Sequence, residues 1–187
     1  LGWNPGDNRE KMSMEEMIDA FSLGGLHKAP SIFDEPKLRW LSGEYVRAMS
    51  AEQFAEAALP FLKASKAYGK FDTAALLRIV QPRVEILSEI PEKLDFLAGF
   101  SKIDEALYFN KKMKSDADVA RQVLPAAEDV LRRLPSFANA DIYAALVALA
   151  QERGMKNGQV LWCVRIALTA KESTPGGASE MAELLGR

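Results

Sequence analysis

One histidine and one cysteine, set among 26 acidic residues, are all this chain offers to acid–base, nucleophilic or metal chemistry. His27 follows the Gly24-Gly25 pair, so a solvated loop histidine is the simplest reading. A single His with a single Cys cannot assemble a zinc site. Any Ser–His or Cys–His hydrolytic machinery would rest on His27 alone. Cys163 has no partner for an internal disulfide; flanked by Trp162 and Val164, it reads as a small core residue. Glu15, Glu16 and Asp19 read as charges complementing the N-terminal end of a helix dipole rather than a catalytic carboxylate pair. Gly24-Gly25 and Gly176-Gly177 lack the preceding strand and following Lys-Ser/Thr of a phosphate loop. No active site follows from these residues. Recognition is the chemistry that remains.

The elements that would position such chemistry are helical nearly throughout. Ser13 with Glu16 forms a capping box, and Met14, Met17, Ile18 and Phe21 follow at helical spacing, with Gly24-Gly25 expected to end that helix. Asp34 caps a second helix that tolerates Pro36 in its first turn; its apolar stripe is Leu38, Leu41, Tyr45 and Met49, with Trp40 beside it. Ser50 with Gln53 opens a third helix, which Pro60 is expected to kink or break. The stretch from Thr73 to Val80 is interrupted by Gln81-Pro82-Arg83, where proline removes a hydrogen bond and disfavours α geometry at Gln81. Such interruptions leave backbone groups open for binding. Pro91 restarts the chain, and Asp104 to Phe109 forms a short segment. Ser115 and Asp116 cap a long amphipathic helix, Asn139 caps the next, and Lys156-Asn157-Gly158 leads into another. The loop Ser173-Thr174-Pro175-Gly176-Gly177 precedes a last helix ending near Leu185. With no alternating β pattern, the expected fold is all-α, in two or three helical subdomains.

The 187 residues suffice for one helical domain or two small ones. Apolar residues make up 48% and charged ones 27%, a globular profile. The net charge of −2 and pI near 5.6 argue against coating nucleic acid by bulk charge. They leave room for local recognition of a few unstacked bases. Lys111, Lys112 and Lys114 form a basic run whose default reading is a solvated loop, with phosphate contact as the alternative. No apolar run approaches the roughly 18–20 residues of a membrane span. The polar start, from Leu1 to Glu10, holds no signal-peptide core, so the cytosol is the expected compartment. A first residue other than Met points to a processed chain or a fragment.

Four segments carry a stronger signal. The first is Leu1-Gly2-Trp3-Asn4-Pro5-Gly6-Asp7 with Arg9-Glu10 and the helix that follows. The second is Phe33-Asp34-Glu35-Pro36-Lys37-Leu38-Arg39-Trp40-Leu41-Ser42-Gly43-Glu44-Tyr45-Val46-Arg47. The third is Gln81-Pro82-Arg83-Val84 with Leu87-Ser88-Glu89-Ile90-Pro91. The fourth is Lys156-Asn157-Gly158-Gln159-Val160-Leu161-Trp162, then Arg165, Leu168-Thr169, Thr174-Pro175-Gly176 and Leu184-Leu185-Gly186. Together they span the chain, and in this order they resemble the bacterial glutamyl-tRNA synthetases, class I enzymes that attach glutamate to tRNA(Glu) with ATP and Mg.

The resemblance implies a C-terminal, tRNA-reading fragment with no catalytic residues and no cofactor of its own. It implies the end of a stem-contact helical segment over 1–47 and two helical anticodon-binding subdomains over 48–95 and 96–187. It also implies that Arg83 reads the third anticodon base, the cytosine that separates tRNA(Glu) from tRNA(Gln). Arg165 and Thr174-Pro175-Gly176 match residues around the first anticodon base, and Lys37, Arg39, Trp40 and Arg47 are candidates for the tRNA backbone. A guanidinium fork suits the O2 and N3 acceptors of cytosine. The competing structural readings are an ion-paired Arg83 or Arg165 and a core Trp40. Two departures bear on the first base: Cys163 where relatives often carry Pro, and Gly177 where some carry a bulky apolar residue. A monomer is expected. The alternative function is a helical protein-interaction module of the same ancestry that does not bind RNA.

Overall fold

Local capping starts most of the helices. The computed structural model describes residues 2–7, 9–28, 32–99 and 102–186; Leu1, which begins the first motif, lies outside them. Helix α1 (Met14–Ala20) opens on the Ser13/Glu16 box, with the Glu16 N–H donating to Ser13 Oγ at 3.1 Å and the Ser13 N–H donating to the Glu16 carboxylate at 2.7 Å. Asp34 accepts from the Lys37 N–H to start α2 (Glu35–Ala48). Ser50 and Gln53 box α3 (Ala51–Ala64), and Asp72 caps α4 (Thr73–Val80). Short 3₁₀ turns flank α5 (Ile90–Leu94). Asp116 caps α6 (Ala117–Arg132), followed by α7 (Asn139–Glu152), α8 (Asn157–Thr169) and α9 (Ala178–Leu185). The described residues contain no strand, only two isolated bridges, Trp3 with Leu26 and Asn110 with Ser115. The fold is all-α.

Several local expectations fail for physical reasons. Helix α1 stops at Ala20, and Gly24-Gly25 fall in a separate 3₁₀ turn, Leu23–Gly25. Pro60 does not break α3, which runs on to Ala64. Phe54, Ala58 and Leu62 are buried on one face of α3. Glu56, whose carbonyl loses its partner to the proline ring, and Pro60 both sit on the solvent side, where water replaces the lost bond. Gln81 keeps α geometry at φ −49°, ψ −49°, and the chain tightens into a 3₁₀ turn over Gln81–Arg83 instead. Asn139 is not a cap. Ala138 holds that position without a side-chain bond, and the Asn139 N–H donates to Glu183 at 2.9 Å.

Two hydrophobic cores form. One joins α2 to α5 around Phe54, Leu62, Leu76, Ile90 and Leu94. The other joins α6 to α9 around Ile142, Leu146, Val160 and Ile166. Helix α9 serves both, with Ala178 and Ala182 in the second core while Leu184 and Leu185 pack against the first. Cys163 lies wholly inside the second core, its sulfur 3.3 Å from Ser115 Oγ, and burial raises its thiol pKa. The predicted apolar row of α1 is not covered: Met14, Ile18 and Phe21 are 67%, 66% and 53% exposed. Trp40 is exposed, not core, and in α2 the buried positions are Gly43 and Val46. No described helix is long and apolar enough to cross a membrane.

Because Pro60 leaves a helical carbonyl to water, Pro60→Ala is expected to stabilise the chain. The gain should be roughly 1–3 kcal/mol, reduced by the looser unfolded state, and read as a higher urea midpoint with an unchanged slope.

Candidate nucleic-acid interface

Arg83 closes the 3₁₀ turn after α4, and its guanidinium is held from two sides. Nη1 donates to the Ile79 carbonyl at 2.9 Å, four residues back. Nη2 donates to Glu180 Oε2 at 2.9 Å, and Nη1 reaches Glu180 Oε1 at 3.4 Å. The pairing reading of Arg83 is therefore correct as a description of its contacts, and it leaves the side chain 37% exposed at a cleft. That cleft, of about 870 Å³, is also lined by Lys93, Phe96, Lys171, Thr174 and Pro175. Arg83 and the Thr174-Pro175 loop, 91 residues apart in the chain (174 less 83), meet on one surface.

The loop is built to fit its place. Thr174 Oγ1 donates to the Gly176 carbonyl at 2.6 Å, and the Gly177 N–H donates to Glu180 at 2.7 Å, which satisfies the start of α9. Gly176 is required by close approach. A β-carbon there would stand 2.5 Å from Met181 Cε, 3.2 Å from Glu180 Cβ and 3.3 Å from Ile79 Cγ2. Ile79 and Met181 are themselves buried, so neither can retreat freely.

Arg165 occupies a neighbouring pocket of about 280 Å³ with Asn139, Tyr143, Gly177 and Glu180. Nη1 donates to the Glu172 carbonyl at 3.3 Å, whereas Nε is buried without a partner, as is Asn139 Oδ1. Burial, chiefly, and the charge of Arg83 push the Arg165 pKa down, while Glu180 pulls it up. The structural ion pair expected as the alternative for Arg165 is not formed. The Glu172 carbonyl takes Nη1 instead.

The remaining candidates lie elsewhere. Lys37 pairs with Glu10 at 2.6 Å, Arg39 with Glu85 and Glu89, and Arg47 with Glu44 at 2.6 Å. Trp40 stands exposed on the same helix. Lys111, Lys112 and Lys114 are exposed in the turn that the Asn110–Ser115 bonds close. His27 is exposed. No group of three or more metal-ligating side chains occurs among the described residues. Sequence reasoning missed Lys93 and Phe96 at the first cleft, and Glu180, Tyr143 and Asn139 at the second, Glu180 also pairing with Arg83. Only Glu180 carried a local signal, the spacing Gly177-x-x-Glu180 that opens a helix.

This helical architecture agrees with the comparisons. The family model of the anticodon binding domain matches residues 53–187, and the chain belongs to that family. Over its full length it is 41% identical to the glutamate–tRNA ligase of Clostridium botulinum (strain Hall) and 40% identical to that of Clostridium tetani. It spans 38% of the length of each. Among solved structures, a glutamate–tRNA ligase from Elizabethkingia meningosepticum, determined with its amino acid, superposes over the whole chain with a TM-score of 0.73 at 26% identity. The chain covers 36% of that protein. The glutamate–tRNA synthetase of Elizabethkingia anophelis gives 0.70 at the same identity.

Gly176→Ala is expected to destabilise the chain by about 1–3 kcal/mol, the usual cost of overpacking. Thermal unfolding measures it. An unchanged melting temperature would show that Met181 can yield.

Proposed function

We propose that this chain is the tRNA-selecting part of a glutamate–tRNA ligase and reads the anticodon of tRNA(Glu). The ligation itself, ATP-dependent attachment of glutamate with Mg, would belong to other parts of such an enzyme. The observation that carries the reading is the convergence of Arg83 with Thr174-Pro175 on one cleft at the joint of two helical cores. Similarity to glutamate–tRNA ligases along the full chain supports it.

In this reading Arg83 presents donors to the third anticodon base, a cytosine. Arg165 with Thr174, Pro175 and Gly176 surrounds the first. Splayed bases held between the cores fit the general logic of sequence-specific RNA recognition. Lys37, Arg39, Trp40 and Arg47 would face the tRNA backbone on the stem side, over 1–47, with the two reading subdomains over 48–95 and 96–187. An arginine at position 83 favours tRNA(Glu) over tRNA(Gln). A cytoplasmic monomer fits this role. The exposed row Met14, Ile18 and Phe21 favours the second reading, a protein-interaction module.

The test is binding of tRNA(Glu) at low salt, with the third anticodon base changed from C to G. Affinity is expected to fall by about 1–3 kcal/mol for the wild-type chain, and Arg83→Gln is expected to remove most of that difference. Binding that ignores the anticodon would sink the reading and leave the protein-interaction module.

A further inference from the structure

Glu180 touches more of the interface than a helix-opening residue needs to. It accepts the Gly177 N–H at the start of α9, and the same carboxylate takes the end of the Arg83 guanidinium. A guanidinium has five N–H donors in a plane. Glu180 engages one hydrogen each from Nη1 and Nη2, and the Ile79 carbonyl takes the other Nη1 hydrogen. What is left is Nε–H and the outer hydrogen of Nη2. These two lie parallel on one edge of the plane, the spacing that grips two adjacent acceptors. Arg83 therefore has one free two-pronged edge while its other donors are engaged.

Charge supports the same arrangement. Arg83 and Arg165 are close enough to repel, and Glu180 sits in the field of both.

We propose that Glu180 is a positioning residue for anticodon reading: it fixes the guanidinium of Arg83 so that only the Nε/Nη2 edge meets the third base. This rests on the reading of Arg83 given above. Glu180 does not touch the RNA. It converts a flexible cation, which would attract any nucleotide, into an oriented pair of donors that suits a base with neighbouring acceptors such as the O2 and N3 of cytosine.

The experiment compares wild-type chain with Glu180→Gln, Arg83→Gln and the double variant. The probes are anticodon stem-loop RNAs carrying C or G at the third anticodon position. A glutamine oxygen still accepts the Gly177 N–H but cannot accept from both Nη atoms. Glu180→Gln is expected to lower the C-over-G preference about tenfold. Affinity for the G stem-loop should hold or rise, because a negative charge near RNA is gone. The double variant should discriminate no worse than Arg83→Gln alone, since Glu180 acts through Arg83. Should Glu180→Gln unfold, Glu180→Asp keeps the charge and shortens the reach, and is expected to lose part of the preference. An unchanged or increased preference in a folded variant overturns the proposal, as does equal weakening of both stem-loops. A wild-type chain with no preference for C overturns the reading of Arg83 itself and the proposal with it. A wild-type preference that survives Glu180→Gln overturns the proposal alone.

Discussion

The close approach of α9 to α4 is the constraint on which the larger cleft depends. Gly176, just before α9, lies so close to Met181 of α9 and Ile79 of α4 that a β-carbon would crowd both, and both side chains are buried. Around this apolar point, Arg78 pairs with Glu183 at 2.6 Å and Arg83 with Glu180 at 2.9 Å. These pairs are partly exposed, so they contribute little to stability. What they set is register. The buried contact brings α9 to α4, and the ion pairs decide which turn of one faces which turn of the other. Leu184 and Leu185 then reach the first core while Ala178 and Ala182 stay in the second. A rotation of α9 would separate the Thr174-Pro175 loop from Arg83 and dissolve the larger cleft.

On the proposed reading, an acidic chain must recognise RNA without long-range attraction. With a net charge of −2, it gains little from the counterion release that drives non-specific binding. The cations at the cleft are few, and several are already paired. Arg83 is tied to Glu180 at 2.9 Å, and Lys93 approaches Glu89 at 3.8 Å. A surface of this kind binds where donors are correctly aimed and stays quiet elsewhere. Discrimination then comes from unmatched buried donors in the wrong complex, which cost more than a matched contact gains.

Much of the fold was legible because helix starts are local events. Ser13, Asp34, Ser50 and Asp116 each cap the helix their spacing predicts. Errors arose where tertiary context outweighs local preference. Pro60 is tolerated because one face of α3 is anchored by Phe54 and Leu62 and the other is wet. The apolar residues of α1 and Trp40 follow a burial pattern that this chain does not satisfy by itself. At the site, Arg83, Arg165 and the loop stood out only through family resemblance. Glu180 could not be placed against Arg83 from spacing, since the two are 97 residues apart. Asn139 reads as a cap of α7, and Tyr143 carries no local signal of its own.

The two arginines differ in how firmly they are held, and the difference follows from what precedes them. Arg83 ends a turn that Pro82 tightens, so its side chain folds back on the Ile79 carbonyl and across to Glu180. Arg165 projects from the middle of α8, between the buried Val164 and Ile166, and has only the 3.3 Å contact to Glu172. Its Nε is buried and unpaired, an arrangement that costs free energy until a partner arrives. Cys163, one turn-fraction away, is locked in the core against Ser115 and gives α8 an unbroken backbone where proline would bend it. Arg165 is therefore aimed by a straight helix and lacks the two-sided clamp of Arg83. On the proposed reading, recognition at the third position would be rigid in this chain, while the first would depend on a cation whose final contacts the bound base must complete.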